Sequence, residues 1–273
     1  SERSVISNPS IPKRGARWDL LLPVLFLLLV GALMIGAWWQ VGHQREQQLR
    51  LETRVNAQHI AARLEAWIDA RAAVLDKLAR DIADSALHEP PGLFGSADAF
   101  RREAELLISL FEGFQAVNWV DADGHIVITV PVASNEGALG ANLQLHPEPS
   151  VRRAFRRALR DGAFVRTGVV ELLQGGRGIA AYVPVRREGD APLGFVNGVF
   201  RLEVLVDRGL PDPRLREAFR FSLHDENDRL GYLSEEVEEP ATPTPAQTPW
   251  PFGETLAVRF IDRDMVLRVA PTP

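Results

Sequence analysis

The chain contains no cysteine in 273 residues. Disulfides, thiolate metal sites, iron–sulfur clusters and thiol nucleophiles are therefore excluded. An excess of basic charge is missing too: 31 Lys and Arg stand against 36 Asp and Glu, for a formal charge of −5. Nucleic-acid-binding chains normally carry the opposite balance, so no nucleic-acid partner is expected. The six histidines show no metal-ligand spacing, and the sequence holds no H-E-x-x-H, no G-x-S-x-G and no kinase motif set. Gly175, Gly176 and Gly178 precede a strand rather than a helix, so they form a turn and not a dinucleotide fingerprint. No catalytic residue, metal or cofactor is expected in this segment. What is present, 46% hydrophobic and 25% charged residues, is the composition of a folded protein, at a length that suits one long domain or two smaller ones.

Charge is absent altogether from Leu20 to Trp39, which reads LLLPVLFLLLVGALMIGAWW. About 20 apolar residues is the length that crosses a bilayer core. Twelve of these are Leu, Ile, Val or Phe, each favouring insertion by roughly 0.3–0.6 kcal/mol at the helix centre. Trp18 and Trp38–Trp39 flank the run as interfacial aromatics do, and Ala32 with Gly36 forms a small-xxx-small pair. A cleaved signal peptide is the competing reading. The run exceeds the usual apolar stretch of about 7–15 residues and no A-x-A site follows, which favours a retained anchor. The first 19 residues carry four basic groups, Arg3, Lys13, Arg14 and Arg17, and the part after the run is acidic. By the positive-inside rule the tail at 1–19 is placed in the cytoplasm and the main domain outside a bacterial inner membrane.

From position 40 to about 88 the apolar residues Val55, Ile60, Leu64, Ile68, Leu75, Leu78 and Ile82 recur mostly every three or four. That is a helix period, and it predicts a stalk of roughly 45 residues, about 70 Å, continuing the membrane helix. Its stripe either covers a globular domain or pairs with a second copy in a homodimer. Glu89-Pro-Pro-Gly ends it. Helices are then expected at 96–111 and 149–160, with strands at 116–121, 125–131, 163–173, 178–187 and 193–202, and helices on one face of the sheet. A second unit follows: a helix at 213–219 and hairpins at 220–233 and 255–269, separated by a Pro-rich loop, 235–251. The His224-Asp-Glu turn reads as solvated, and the face of Arg152, Arg153, Arg156, Arg157 and Arg160 as a solvated one paired with nearby acids.

Several pieces then occur in a characteristic order: Val117-Asn-Trp-Val-Asp, Gly124-His-Ile, Gly137-Ala-Leu-Gly-Ala-Asn-Leu, Ala158-Leu-Arg-Asp-Gly, Leu172-Leu-Gln-Gly-Gly-Arg-Gly, Tyr182-Val-Pro-Val and Gly194-Phe-Val-Asn-Gly-Val-Phe. Residues 114–205 so read resemble the CHASE domain, an extracytoplasmic sensory module found ahead of histidine kinases and nucleotide cyclases. The resemblance implies an α+β fold in which a transmembrane helix continues into a long stalk helix carrying two PAS-like antiparallel-sheet lobes. The distal lobe is expected at 89–205 and the membrane-proximal lobe at 206–273. It also implies a second membrane helix and a catalytic output domain beyond Pro273, most simply a histidine kinase of a two-component system. A diguanylate cyclase or phosphodiesterase output, or a protein-interaction module without a small ligand, are the alternatives.

A PAS-like lobe takes its ligand between the sheet and the layer covering it. The candidate ligand-binding residues are Trp119, Asn135, Leu139, Thr167, Leu172, Gly176, Tyr182 and Asn197, with Asn118 and Leu143 beside them. Trp119 and Tyr182 offer flat apolar surface with a polar handle, the Asn and Thr side chains orient a polar group, and the leucines line an apolar wall. Each of the large side chains has an equally simple reading as core filling. The expected partners are a small molecule of unknown identity, the membrane and a second copy of the chain.

Overall fold

The computed structural model describes residues 18–85, 97–172, 176–186, 191–234 and 252–272. The Pro-Pro-Gly breaker and the Pro-rich loop lie outside them. The chain divides into two compact units, Ser1–Leu49 and Arg50–Pro273. Helix α1, Trp18–Ser85, contributes to both. In the first unit the large apolar side chains from Leu25 to Trp39 are exposed. Among the described residues α1 is the one helix long and apolar enough to cross a membrane, and none of its apolar window is buried.

In the second unit α1 behaves as a core helix. Ala57, Ile60, Leu64, Ile68, Leu75, Leu78 and Ala79 are buried in one apolar cluster with the sheets. The stripe therefore covers the unit's own strands, the first of the two uses its period allowed. Arg71, on the same face, donates from Nε to the Glu112 carbonyl (2.7 Å) and stacks on Trp67 at 3.6 Å. Burial lowers its guanidinium to about 10 against the opposing pull of Glu112.

Helix α2 is Ala97–Leu110, and its buried Phe100, Ala104 and Leu107 join the same cluster. The first sheet comprises β1 (Phe114–Asp121), β2 (Ile126–Val130), β3 (Val165–Arg166), β4 (Val170–Glu171), β5 (Arg177–Val185) and β6 (Gly194–Arg201). Its order is β2-β1-β6-β5-β3, with β4 also on β5. Helix α3, Pro149–Asp161, starts with Pro at its first position under a Glu148 cap and ends on Gly162 at φ 57°. It packs Val151, Ala154, Phe155 and Ala158 on the face opposite α1.

Two expectations are corrected here. Helices cover both faces of this sheet, not one, because its strands are apolar on both sides and each side needs a cover. The strand expected at 163–173 is two short pieces. Between them the Gly168 N–H donates to Ser150 Oγ (2.7 Å) and the Val169 N–H to the Asp225 carboxylate (2.9 Å), which takes both from the ladder.

Helix α4, Leu202–Gly209, follows β6 directly and hides Leu202, Leu205 and Val206. The strand-like apolar run at 193–202 masked its start. A short helix α5 (Pro213–Ala218) leads into β7 (Phe219–His224), β8 (Leu230–Leu233), β9 (Glu254–Phe260) and β10 (Arg263–Pro271), a second sheet of order β8-β7-β10-β9.

Polar groups buried from water tie the two sheets together. Arg166 is fully enclosed and donates to the carbonyls of Phe260, Thr167 and Asp264 at 2.7–3.1 Å, with Glu226 at 3.5 Å. Its pKa is lowered, chiefly by burial, with Glu226 opposing. The His224-Asp-Glu turn is not solvated: Asp225 is buried and accepts from the N–H groups of Val169, Asn227 and Arg229. Those donors come from the neighbouring lobe and from its own turn, which compensates the desolvation of the carboxylate.

Gly198 lies where α1 meets β6. A Cβ there would sit 2.4 Å from Leu75 Cδ1. Gly198→Val is expected to destabilise the fold by about 1–3 kcal/mol through overpacking. A lowered urea midpoint at unchanged slope is the result expected; an unchanged midpoint would place α1 further from the sheet.

Candidate ligand cavity

Strand alternation sends Asn118, Tyr182 and Asn197 to the face covered by α3 and the loop after β2. Register then aligns them. Asn118 lies opposite Thr129 on β2 and Asn197 on β6, and Asn197 lies opposite Tyr182 on β5. Four strands so contribute one residue each to a single cross-strand row, and all four residues are buried.

The row is hydrogen-bonded in one direction. The Ala181 carbonyl can only accept, so Asn197 must turn its NH2 toward it (3.0 Å). Asn197 Oδ1 then accepts from Asn118 Nδ2 (2.8 Å), and Asn118 Oδ1 accepts from the Thr129 hydroxyl (2.7 Å). The fixed carbonyl at one end thus settles the orientation of both amides.

Above this row lies a cavity of about 100 Å³, somewhat smaller than an engineered apolar cavity of about 150 Å³ that takes up benzene. Asn118, Asn197 and Tyr182 form its polar side. Ala116, Ile126, Leu143, Val151, Ala180 and Val199 supply apolar walls, and Asn135, His146, Glu171 and Leu172 complete the lining. Asn135 is held by donating to the Pro131 carbonyl (2.8 Å). Tyr182 packs edge-on against Phe155 of α3 at 5.6 Å, and burial alone pushes its phenol above the ordinary range, so it stays a neutral O–H. His146 accepts from the Glu148 N–H at Nδ1 (3.1 Å). Burial lowers its pKa, with Glu148 opposing.

Of the residues singled out from sequence, Asn135, Leu172, Tyr182 and Asn197 line this cavity, together with Asn118 and Leu143. Trp119 does not. It follows Asn118 in β1, points to the α1 side and meets Phe100 edge-on at 6.2 Å. Thr167 is buried beside the sheet, donating to the Gly168 carbonyl and accepting from the Ala180 N–H. Leu139 is 52% exposed on the covering loop. Gly176 is exposed at φ 80° in the β4–β5 turn, a backbone conformation that suits glycine. Thr129, His146, Val170 and Glu171 were not singled out. Thr129 had a signal: pairing across the Asp-Gly turn brings it opposite Asn118. The α3 arginine face has acidic partners nearby, as expected: Arg157 and Arg160 both lie beside Asp161. Arg157 pairs with Asp262 at 2.7 Å and Arg152 donates to the Pro147 carbonyl at 2.8 Å.

Residues 99–231, which contain the cavity, match the family model described as the CHASE domain. The chain carries a CHASE domain. No curated protein matches the chain significantly. Among solved structures, the CHASE-bearing chain is similar to an extracellular ligand binding receptor from Desulfohalobium retbaense, at 14% identity and TM-score 0.59 over 80% of this chain and 40% of that one. It is similar to the ligand-binding domain of the Pseudomonas aeruginosa amino acid chemoreceptor PctB, solved with L-Arg, at 15% identity and TM-score 0.57 over 82% of this chain and 94% of that one. It is also similar to the ligand-binding domain of the Pseudomonas fluorescens chemoreceptor CtaA, solved with L-isoleucine, at 16% identity and TM-score 0.54 over 84% and 92%. The chain thus spans less than half of the Desulfohalobium receptor. At these identities the likeness is one of fold, a long N-terminal helix followed by PAS-like antiparallel sheets.

Asn197→Leu in the CHASE domain leaves the Asn118 N–H without its acceptor and removes the side-chain bond to the Ala181 carbonyl. A loss of about 1–3 kcal/mol is expected for each buried group left unpaired; urea unfolding measures it, and a change near zero would mean that the row is not formed. A second expectation concerns pH. His146 and His224 both have folded-state pKa values lowered, foremost by burial, from an ordinary value of 6.5. The unfolded chain then binds protons first as pH falls, so stability declines below about 6.5 and levels off under the folded pKa values. Melting temperatures between pH 7.5 and 5 should show that decline, and His146→Gln combined with His224→Gln should flatten it. A melting temperature that rises on acidification would contradict the burial of these rings.

Proposed function

We propose that this chain is the sensing region of a bacterial transmembrane receptor, and that its cavity binds a small organic molecule. The observation that carries the proposal is the recess beside a buried, one-directional polar row. A sheet that needed only a core would fill that face with aliphatic side chains, since unfilled space and buried amides both cost stability. The fold likeness to chemoreceptor ligand-binding domains supports the same reading.

The contacts of the cavity wall suggest how occupancy is read. Val151 of α3 and Val170 of β4 line the cavity. Their neighbours Ser150, Gly168 and Val169 hydrogen-bond among themselves and to Asp225 of the second sheet. A ligand that favours one packing of this wall shifts the balance between two arrangements of the lobes, by no more than its differential affinity for them. Helix α1 packs on both sheets and would pass that shift across the membrane, in a homodimer formed through the same helix.

In this reading the N-terminal tail is cytoplasmic and the CHASE domain lies outside. The output is a histidine kinase of a two-component system. A nucleotide cyclase or phosphodiesterase output is the second reading, and the sequence following Pro273 in the gene decides between them.

The test fills the cavity. Ala180→Leu and, on the covering loop, Ala138→Leu each place added carbons in it. A thermal-shift screen of small metabolites against the full chain in detergent should find a compound that raises the melting temperature of the wild type and of neither variant. Equal binding by the variants, or no stabilising compound at all, would overturn the assignment and leave a protein-interaction module.

A further inference from the structure

The hydrogen-bond inventory of the cavity says what kind of molecule it takes, given the reading that the cavity is the ligand site. Each Asn side chain carries two N–H donors. Asn118 spends one on Asn197 Oδ1, and Asn197 spends one on the Ala181 carbonyl. The second N–H of each has no acceptor among the described residues. Tyr182 is 1% exposed, and its hydroxyl makes no hydrogen bond to them either. The acceptor side is nearer to satisfied: each amide oxygen of the row already receives one bond and keeps one lone pair, whereas the spare N–H groups have no acceptor at all among the described residues. The polar side of the cavity is therefore rich in unspent donors.

A cation finds little to hold it. Among the described residues the one carboxylate in the lining is Glu171, whose side chain is 62% exposed and already lies 3.5 Å from Arg177 and 4.0 Å from Arg229. An ammonium group brought into the cavity would lose its water without a buried counter-charge. Apart from Asn135, held by the Pro131 carbonyl, and His146, whose Nδ1 accepts from the Glu148 N–H, the remaining walls are Ala, Val, Ile and Leu, and the volume of about 100 Å³ admits only a short body.

We infer that the cavity selects a short aliphatic molecule headed by a hydrogen-bond acceptor oxygen, a carboxylate or an uncharged carbonyl, and rejects ammonium-bearing molecules, amino acids included. Burial of the Tyr182 phenol keeps it protonated and donating, in keeping with that choice.

The experiment uses the full chain in detergent and matched probes: butyrate, butyramide, L-2-aminobutyrate and butylamine. Stabilisation by butyrate or butyramide and not by the two amines is the result expected, and the stronger of the first two tells whether the head is charged or neutral. Tyr182→Phe removes only the hydroxyl and should weaken the better probe about tenfold, the worth of one hydrogen bond. Equal binding of the amines, or indifference to Tyr182→Phe, would overturn the inference. If none of the four probes binds while the metabolite screen yields a ligand lost in Ala180→Leu, the ligand class falls and the sensing cavity stands. If butyrate binds wild type and Ala180→Leu alike, the cavity reading itself falls.

Discussion

The fixed point of this structure is the Ala181 carbonyl. Because it can only accept, it orients Asn197, which orients Asn118, which takes the Thr129 hydroxyl as donor. A buried polar group without a partner costs about 1–3 kcal/mol, so this chain has one satisfied arrangement. Register in the sheet is held by the same residues: a one-residue slip would send every amide to the α1 side, among Val117, Ile179 and Phe200. The row that gives the cavity its polarity also specifies how β2, β1, β6 and β5 align.

Around that row the fold assigns its two sheet faces different tasks. The face toward α1 is dry and continuous with the core of the second sheet, so α1, α4 and both sheets share one apolar cluster. The face toward α3 has a smaller cluster of its own and the cavity. Beside that shared apolar cluster the two sheets are also tied by polar groups: the buried Arg166 guanidinium is held by carbonyls, and the buried Asp225 carboxylate by N–H groups. Such groups are costly to expose unpaired and tolerate few geometries. A linkage of that kind suits a joint with discrete settings, and it begins at Ser150 and Val169, each one residue from the cavity wall.

Much of this was legible in the sequence because it rests on short-range rules. The apolar run at 20–39, the three-and-four spacing after it, the Asp-Gly turn and most strand positions follow from composition and period. The resemblance of 114–205 to the CHASE domain was legible as well, and the family match at 99–231 agrees with it. The site was legible in part. Asn135, Leu172, Tyr182 and Asn197 converge, whereas Trp119 faces away, and strand alternation explains why: Asn118 and Trp119 are adjacent in β1 and cannot line one cavity. Thr167 lies where a long strand was expected to run straight. Its break depends on Ser150 and Asp225, 18 and 56 residues distant from the groups they bind, and no local pattern announces them. The burial of Asp225 was missed for the same reason, since a charged turn reads as solvated until the lobe that covers it is known.

The account rests on the two amides of the row having fixed orientations and one spare N–H each, facing a ligand space. Side-chain NMR of the full chain in micelles, labelled with ¹⁵N at asparagine, reads this directly. Asn118 and Asn197 should each show one NH2 proton shifted downfield and slow to exchange, and one that moves only when a cavity ligand is added. Two freely exchanging protons on either residue, or resonances indifferent to a ligand that stabilises the protein, would contradict it.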